Sequence, residues 1–255
     1  MHGSGPDEKM QVWKGSRNMK PLEIKHRVIG GGEPLICVPV VEQDAQSVIR
    51  EITYLSQSTA DMIEWRVDAF RDFTDYNAIR SVFEAVAPLL GEKLFLYTFR
   101  TAHQGGMAQV KAEQLDDLHD LAAESGCVDL VDLEFFEEDR PLHKIKRLRE
   151  MGVSVIASHH DFEQTPSPEV MKMLLEKMCA GGADIVKLAV MPQNYKDVLN
   201  LLDVTAQFRE ENPDTPVITM SMGSLGGISR ISGETFGSCV TFGAHEKPSA
   251  PGQFA

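Results

Sequence analysis

Ala-Asp-Ile-Val-Lys-Leu-Ala-Val, residues 183–190, is the stretch of sequence on which the prediction of the fold rests. A short apolar run of this length predicts a buried strand, and Lys187 lies in the middle of it. Burying an ammonium group is so costly that the amine tends to lose its proton, and a neutral amine can attack a ketone. The alternative is an edge strand, in which the stem of Lys187 lies along the sheet and its head reaches water.

Further short apolar runs along the chain alternate with amphipathic segments. The predicted strands are Leu35–Val41, Met62–Val67, Leu94–Phe99, Val128–Leu133, Ser154–Ser158, Ile185–Val190, Val217–Met220 and Cys239–Phe242. Helical spacing of apolar residues covers Gln43–Ser56, Tyr76–Leu90, Ala108–Glu124, Leu142–Met151, Ser167–Cys179 and Tyr195–Glu211. Eight strands alternating with helices predict an α/β protein, a (β/α)8 TIM barrel. The competing architecture is a doubly wound open sheet, but polar groups follow nearly every strand, which favours a ring.

The two ends of the chain differ from this pattern. Residues 1–18 are polar and aperiodic, and we interpret them as a disordered extension or a cloning remnant, which leaves 19–255 as a single barrel domain. Residues 22–28 and the glycines at 30–32 predict a hairpin with a glycine turn that closes one barrel end. The chain stops at Ala255, shortly after the last predicted strand, so we expect the last helix of the barrel to be missing.

Composition narrows the possible partners and location. The net charge of -13 argues against binding to nucleic acid or to an anionic membrane. The sequence has no apolar run of membrane-spanning length and no secretory leader, so we expect a cytoplasmic protein. The four cysteines are widely spaced without a C-x-x-C pair, and we interpret them as reduced and structural. No metal-binding spacing of histidines occurs either.

Polar residues near the ends of the predicted strands are the candidates for chemistry. Glu64 and Arg66 share one face of their strand, as do Asp132 and Glu134, because side chains two residues apart point the same way. Arg100 leads into a loop that contains Gly105 and Gly106. For each the simpler interpretation is a structural ion pair or a surface turn.

Two further segments carry a candidate acid–base group and a candidate anion-binding group. His159 and His160 are adjacent and should point to opposite faces, so one of them is placed for general acid–base work. Arg230 follows a glycine-containing segment, residues 221–230, and its side chain can hold a carboxylate with two hydrogen bonds.

Taken together, these motifs resemble type I 3-dehydroquinate dehydratase. The matching segments are Glu64-Trp65-Arg66-Val67-Asp68, Thr98-Phe99-Arg100-Thr101, Ser158-His159-His160-Asp161-Phe162, Lys187-Leu188-Ala189-Val190-Met191-Pro192-Gln193, Ile228-Ser229-Arg230 and Ser249-Ala250-Pro251-Gly252-Gln253. The resemblance implies a homodimeric barrel that converts 3-dehydroquinate to 3-dehydroshikimate in the shikimate pathway of aromatic amino acid biosynthesis. It implies an imine (Schiff base) on Lys187, His160 as general acid and base, and no metal or organic cofactor. By the same resemblance, substrate-binding positions are Glu64, Arg66, Arg100, Arg230, Ser249 and Gln253.

The chain departs from the family pattern at one catalytic position. Many relatives have glutamate four residues after the arginine of the third strand, in contact with the catalytic histidine, whereas this chain has Gln104. Because glutamine cannot carry charge, we expect His160 to be less basic than in relatives with glutamate. Two alternatives stay open: an impaired barrel that only binds a shikimate-like ligand, and another imine-forming barrel such as an aldolase of sugar phosphates.

Overall fold

Eight parallel strands form a ring at the centre of the fold. The structure is a computed structural model that describes residues 22–254, so the interpretation of residues 1–18 lies outside the described part. The strands are β1 (Leu22–Ile24), β2 (Arg27–Ile29), β3 (Leu35–Val40), β4 (Met62–Arg66), β5 (Leu94–Thr98), β6 (Leu130–Glu134), β7 (Ser154–Asp161), β8 (Ile185–Val190), β9 (Val217–Ser221) and β10 (Val240–Phe242). Strands β3 to β9 pair in chain order, and β10 pairs with β3. A bridge between Val217 and Ser238 brings the ring close to closure, so the predicted barrel is confirmed and the open sheet is wrong.

Helices alternate with these strands on the outside of the ring. They are α1 (Ala45–Ser56), α2 (Tyr76–Val86), α3 (Ala112–Glu124), α4 (Pro141–Glu150), α5 (Pro168–Ala180), α6 (Tyr195–Glu211), α7 (Gly227–Ile231) and α8 (Gly233–Phe236). Within residues 22–254 no helix follows β10, and none is long and apolar enough to cross a membrane. The start of α5 matches its sequence signal, because the side chain of Ser167 caps the helix and Pro168 occupies its first position.

Three boundaries differ from the prediction in ways that matter for the site. Strand β7 runs on to Asp161, so the histidine pair lies inside the strand and not after it. Helix α3 begins at Ala112 instead of Ala108, because Ala108 pairs with Thr101 in a bridge and the chain is still extended at Lys111. The segment around Arg230 contains the short helices α7 and α8, which are not among the predicted helices.

The interior of the barrel changes character along the strands. Near the amino ends the inward side chains are apolar and fully buried; they include Met62, Leu96, Leu130, Ile156, Ile185 and Ile218. Two residues further on, the same strands present Glu64, Thr98, Asp132, Ser158 and Lys187, all buried. The outward residues, such as Trp65 and Tyr97, pack against the helices in a separate apolar layer.

The hairpin β1–β2 covers the amino end of the barrel, as predicted, but its turn is placed differently. The turn lies at Lys25 and His26, with Lys25 in a left-handed conformation (φ +52°), and the glycines at 30–32 connect β2 to β3. Lys25 donates to Asp129 and the carbonyl of Lys93, and Arg27 pairs with Asp61. These partners precede β6, β5 and β4, so the hairpin holds several strand starts and leaves the carboxyl end open.

Candidate active site

A cleft of about 430 Å³ opens at the carboxyl end of the barrel. Eight of the nine candidate residues line it: Glu64, Arg66, Arg100, Gln104, His160, Lys187, Ser249 and Gln253. Apolar side chains complete the wall, namely Phe162, Ala189, Met220, Met222 and Phe242. The arrangement places a lysine, a histidine and several hydrogen-bonding groups around one open cleft.

Lys187 lies at the bottom of this cleft and is only 4% exposed. Its Nζ donates to Oδ2 of Asp132 over 3.0 Å and lies 4.5 Å from the centre of the Phe242 ring. Lys187 is therefore on a central strand of the ring, between β7 and β9, so the edge-strand alternative is wrong. The cost of burying its ammonium group is offset by a buried carboxylate and an aromatic face.

Gln104 holds His160 through a single amide oxygen. Oε1 of Gln104 accepts the backbone N–H of His160 (2.9 Å) and lies 3.0 Å from Nδ1 of its ring. Since a backbone N–H can only donate, the atom facing it must be the amide oxygen, and Nδ1 must then carry a proton. The other ring nitrogen, Nε2, is left with its lone pair in the neutral imidazole, which is the form that a general base needs.

The electrostatic surroundings favour the neutral form of His160. Burial, together with the cations of Arg100 and Lys187, holds the pKa of His160 well below its usual range, and the nearby Asp132 offsets this only in part. The ring of Phe162 stacks beside it at 6.4 Å. Its neighbour His159 is on the other face of β7, with its ring edge-on to Phe136 at 5.3 Å. As expected for adjacent strand residues, one histidine of the pair lines the cleft.

Glu64 and Arg66 each have a partner before any ligand arrives. Oε1 of Glu64 accepts a hydrogen bond of 2.8 Å from the Thr98 hydroxyl. Arg66 binds both oxygens of Asp68, through Nε and Nη2, at 2.8 Å each. Burial would raise the pKa of Asp68, but its bonds to Arg66 and to backbone N–H groups keep it low. The pair is therefore ionic, and it holds the guanidinium of Arg66 in one orientation.

Arg100 is the centre of a buried ionic network. Its Nη2 contacts Oδ1 of Asp132 at 2.8 Å, and its Nη1 donates to Glu134 at 2.9 Å and to Ser158 at 3.1 Å. Burial would lower the pKa of Arg100, but the three carboxylates of Asp132, Glu134 and Glu64 raise it. Arg100 borders the cleft, yet most of its hydrogen-bonding capacity is used within the protein.

Arg230 is the one candidate residue that does not line the cleft. It is 4% exposed, and its guanidinium donates to the carbonyl groups of Phe242 (3.4 Å) and Pro251 (3.0 Å), directly behind the wall. Among residues 22–254 it has no acidic partner, and its Nε has no hydrogen bond. Burial without a counter-charge lowers the pKa of Arg230. It is a buried cation whose charge the described residues do not balance.

The loop after β10 closes one side of the cleft. Ser249 and Gln253 bind each other, with the Ser249 backbone N–H donating to Gln253 Oε1 (2.7 Å) and Gln253 Nε2 donating to Ser249 Oγ (3.0 Å). The loop rests on Gly223, whose N–H donates to the Pro251 carbonyl. A Cβ on Gly252, which has φ +78°, would come within 2.4 Å of the Gly223 carbonyl, so this close approach requires glycine.

Several site residues were not assigned a role from the sequence. Asp132 and Glu134 were seen only as two acids on one face, and Asp68, Ser158 and Phe242 were not singled out as site residues. The signal that could have placed Asp132, Glu134 and Ser158 near Lys187 is the period of two along β6 and β7, which puts them on the inward face. Asp68 and Phe242 lie after β4 and on β10 and carry no such signal. The described residues contain no group of three His, Cys, Asp or Glu side chains that could hold a metal ion.

The fold and this cleft define a class, that of (β/α)8 barrels with a lysine and a histidine at the carboxyl mouth. A family model described as Type I 3-dehydroquinase matches residues 36–255. The chain is 42% identical to 3-dehydroquinate dehydratase of Syntrophotalea carbinolica, over 92% of this chain and 93% of the relative. It is 40% identical to the Escherichia coli protein of the same name, over 93% and 94% of the two chains.

Solved structures agree with the sequence relatives. The type I 3-dehydroquinate dehydratase of Clostridium difficile, solved with covalently modified comenic acid, superposes with a TM-score of 0.89 at 38% identity, and 93% of each chain is covered. The Geobacillus kaustophilus 3-dehydroquinate dehydratase gives 0.89 at 36% identity, covering 92% of this chain and 91% of the other. The chain therefore belongs to the type I 3-dehydroquinase family, whose members are hydro-lyases named for 3-dehydroquinate.

Proposed function

We propose that this chain dehydrates 3-dehydroquinate to 3-dehydroshikimate through an imine on Lys187, with His160 as the general acid and base. The observation that carries the proposal is the shared cleft, which is lined by both a buried lysine amine and a neutral histidine ring. Family membership supports the overall reaction. The mechanism follows from what these two side chains can do.

The first step joins the substrate to the enzyme. The Lys187 ammonium first gives one proton to solvent, and the neutral Nζ then attacks the ketone carbon. The hydroxyl of the resulting carbinolamine takes a proton back and leaves as water, which gives a protonated imine. The positive nitrogen then withdraws electrons from the neighbouring carbon, which makes its proton removable. The apolar walls formed by Met220, Met222 and Phe242 keep this step away from bulk water.

His160 moves the proton in the second step. Its Nε2 lone pair takes the proton beside the imine, and the electron pair that is released forms an enamine. The enamine expels the hydroxyl on the next carbon, to which His160 returns the proton, so that water leaves and a conjugated imine remains. Hydrolysis of that imine releases the product and restores the amine of Lys187. The hydrogen bond from Nδ1 to Gln104 keeps Nε2 available throughout.

The remaining residues bind the parts of the substrate that do not react. We infer that Arg230 takes the substrate carboxylate once its bond to the Pro251 carbonyl is released, because it is the site cation without an acidic partner among residues 22–254. Glu64 and Arg66, already oriented by Thr98 and Asp68, suit the hydroxyl groups. Arg100 contributes through the remaining face of its guanidinium, and Ser249 and Gln253 contribute from the loop above.

Reductive trapping tests the mechanism directly. The protein is incubated with 3-dehydroquinate, reduced with borohydride and digested, and the adduct is located by mass spectrometry while product is followed by its ultraviolet absorbance. We expect one adduct on the Lys187 peptide. Lys144 is an internal control, since it is also buried but pairs with Asp116 and Glu138 outside the cleft. An adduct spread over other lysines, or product without any adduct, contradicts the proposal.

The same experiment separates the two alternatives. An impaired barrel would bind substrate and yield neither adduct nor product, or would yield adduct without product. An aldolase of sugar phosphates would be trapped by a phosphorylated sugar and not by 3-dehydroquinate. The segment that could hold a phosphate leads into α7, a helix of five residues, so the site offers little support for that substrate.

The proposal also covers the assembly, the cellular location and the pathway of the protein. We propose a homodimer in the cytoplasm that acts in the shikimate pathway and binds no nucleic acid. Helices α5 and α6 pack against each other and expose large apolar side chains, which supports self-association. These side chains are Val170, Met173, Tyr195 and Leu199. Sedimentation equilibrium measures the dimer, and cell fractionation measures the location.

A further inference from the structure

One carboxylate oxygen of Asp132 binds only Lys187, the lysine on which the proposed function depends, among residues 22–254. Oδ1 of Asp132 accepts from Ser158 (2.6 Å) and pairs with Nη2 of Arg100 (2.8 Å). Oδ2 accepts from Nζ of Lys187 (3.0 Å), and no other contact to Oδ2 occurs within residues 22–254. The Asp132 side chain is fully buried, so water does not compete for that oxygen.

The other buried acids of the site are committed elsewhere. Asp68 binds both arms of Arg66, and Glu64 binds Thr98. Glu134 binds Arg100 and the Thr101 hydroxyl and backbone N–H. Within the described part of the chain, Asp132 is therefore the only carboxylate in an ion pair with Lys187.

Asp132 is an unsuitable proton acceptor and a suitable permanent anion. Burial by itself would raise the pKa of Asp132, but the cations of Arg100 and Lys187 more than offset it and hold the pKa far below the usual range. A carboxylate of that kind keeps its charge at any pH at which the enzyme works. It can stabilise a positive charge beside it without taking the proton.

We propose that Asp132 is the counterion of the protonated imine on Lys187. This inference rests on the proposed function, because it requires that the imine forms. The ammonium and the imine nitrogen each carry one positive charge, so a fixed anion serves both states and needs no rearrangement between them. The ring of Phe242 adds a second, weaker attraction for either cation.

The geometry has a second consequence for the imine. An ammonium has three N–H bonds, but a protonated imine has one, and that one lies in the plane of the C=N bond. When it donates to Oδ2 of Asp132, the plane of the imine is fixed relative to β6. Asp132 therefore keeps the imine protonated, which is what makes it an electron sink, and also selects which face of the substrate lies toward His160.

The test measures how far into alkaline pH the imine stays protonated. Wild type, Asp132→Asn and Glu134→Gln are incubated with 3-dehydroquinate across a pH series and reduced with cyanoborohydride, which reacts with the protonated imine. For Asp132→Asn we expect the pH of half-maximal trapping to fall by about one to three units, the range for losing an opposite charge at this distance. We also expect kcat to fall more than KM rises.

Glu134→Gln is the matched control, because Glu134 is on the same strand and shares Arg100 but does not contact Lys187. It should keep the wild-type half-maximal trapping pH, whatever amount of adduct it yields. An unshifted Asp132→Asn profile, or an equal shift in both variants, overturns the inference while leaving the proposed function intact. Absence of any adduct on wild-type Lys187 overturns both.

A second measurement needs no substitution, in case Asp132→Asn does not fold. The imine of 3-dehydroquinate with a blocked lysine amide in water has no counterion, and its half-maximal trapping pH gives the reference. We expect the enzyme-bound imine to stay trappable to a pH at least about one unit higher than that reference. An equal or lower value for the enzyme overturns the inference.

Discussion

The two halves of the barrel interior are built from the same strands and behave oppositely. At the amino half, Met62, Leu130 and Ile185 are fully buried in one apolar cluster and are capped by the hairpin β1–β2. Two residues later, at about 6.6 Å along each strand, the carboxyl half holds Glu64, Asp132 and Lys187. The difference separates the residues that stabilise the fold from those that carry out the chemistry.

The buried charges of the carboxyl half are equal in number, but one cation has no acidic partner beside it. Four buried acids and four buried cations surround the cleft: Glu64, Asp68, Asp132 and Glu134 against Arg66, Arg100, Lys187 and Arg230. The first three cations contact acids, whereas Arg230 contacts only backbone carbonyl groups. A buried charge is tolerated when it is paired, so the comparison leaves room at Arg230 for an anion brought by the substrate.

Removing the amine from the polar half should have the largest effect on activity. We expect Lys187→Met to lower kcat by roughly ten-thousandfold or more, because no other group in the cleft can form the imine. The thermal midpoint should fall by several degrees, because Oδ2 of Asp132 loses its partner at a cost of about 1–3 kcal/mol while Oδ1 keeps its bonds to Arg100 and Ser158. Ultraviolet assay and thermal unfolding measure the two quantities, and dehydration at more than a hundredth of the wild-type rate would show that the imine is dispensable.

Removing the base should be the next largest effect. We expect His160→Ala to lower kcat by about a hundredfold to ten-thousandfold, the usual contribution of general acid–base catalysis. His159→Ala is the matched control, because that ring packs on Phe136 outside the cleft. The imine should still form on Lys187 in His160→Ala, as reductive trapping would reveal. Equal losses of kcat in the two variants would show that His160 is not the base.

A substitution in the apolar half should lower stability and leave catalysis nearly unchanged. Ile185 is on the same strand as Lys187, two residues earlier, and is fully buried. We expect Ile185→Ala to lower the free energy of unfolding by about 2–5 kcal/mol, with kcat of the folded enzyme close to wild type. Ile231→Ala, at a site that is 71% exposed, should change stability by less than about 0.5 kcal/mol. Urea unfolding measures both, and a catalytic loss in Ile185→Ala without a stability loss would contradict the division.

Sequence patterns predicted the barrel because its signals are local. Each strand is a short apolar run, and Ile185–Val190 and Tyr195–Glu211 have the predicted bounds to the residue. The extension of β7 to Asp161 was missed, because polar residues end an apolar run even where backbone pairing with β8 continues. Helices α7 and α8 were missed because they are only five and four residues long and rich in glycine and serine.

The site was predicted by residue type better than by contact. Lys187, His160 and Glu64 line one cleft, although Lys187 is in the middle of its strand and His160 is near the end of the neighbouring strand. Which acid pairs with which cation depends on register between strands, and no single segment carries that information. The contacts of Asp132 with Lys187 and of Arg100 with Glu134 join residues 55 and 34 positions apart. The position of Arg230 behind the wall likewise follows from how the last loop folds back.

A charge placed beside the histidine should produce a moderate effect, seen as a pH shift. In Gln104→Glu the hydrogen bond to Nδ1 persists but becomes ionic, so the pKa of His160 should rise by about one unit or more. The base must be neutral, so activity is lost as pH falls through that pKa, and the acid limb of kcat should move to higher pH. Gln104→Leu removes the hydrogen bond without adding charge, so the acid limb of kcat should not move to higher pH. A pH profile that is identical in wild type and Gln104→Glu would contradict this.

The smallest effect should come from the loop that covers the polar half. Gly252→Ala introduces a Cβ that meets the Gly223 carbonyl at 2.4 Å, and it also places alanine at φ +78°. The left-handed backbone costs about 1 kcal/mol in both this variant and its control, and in Gly252→Ala the clash with the Gly223 backbone displaces the loop as well. The displaced loop should raise KM at least about fivefold, with kcat less affected. Gly182→Ala is the matched control, because its φ is +85° but no atom lies within 4 Å of the added Cβ, and it is remote from the cleft. Since both variants carry the same backbone cost, a rise in KM confined to Gly252→Ala identifies the contact with Gly223 as the element that holds the loop over the substrate.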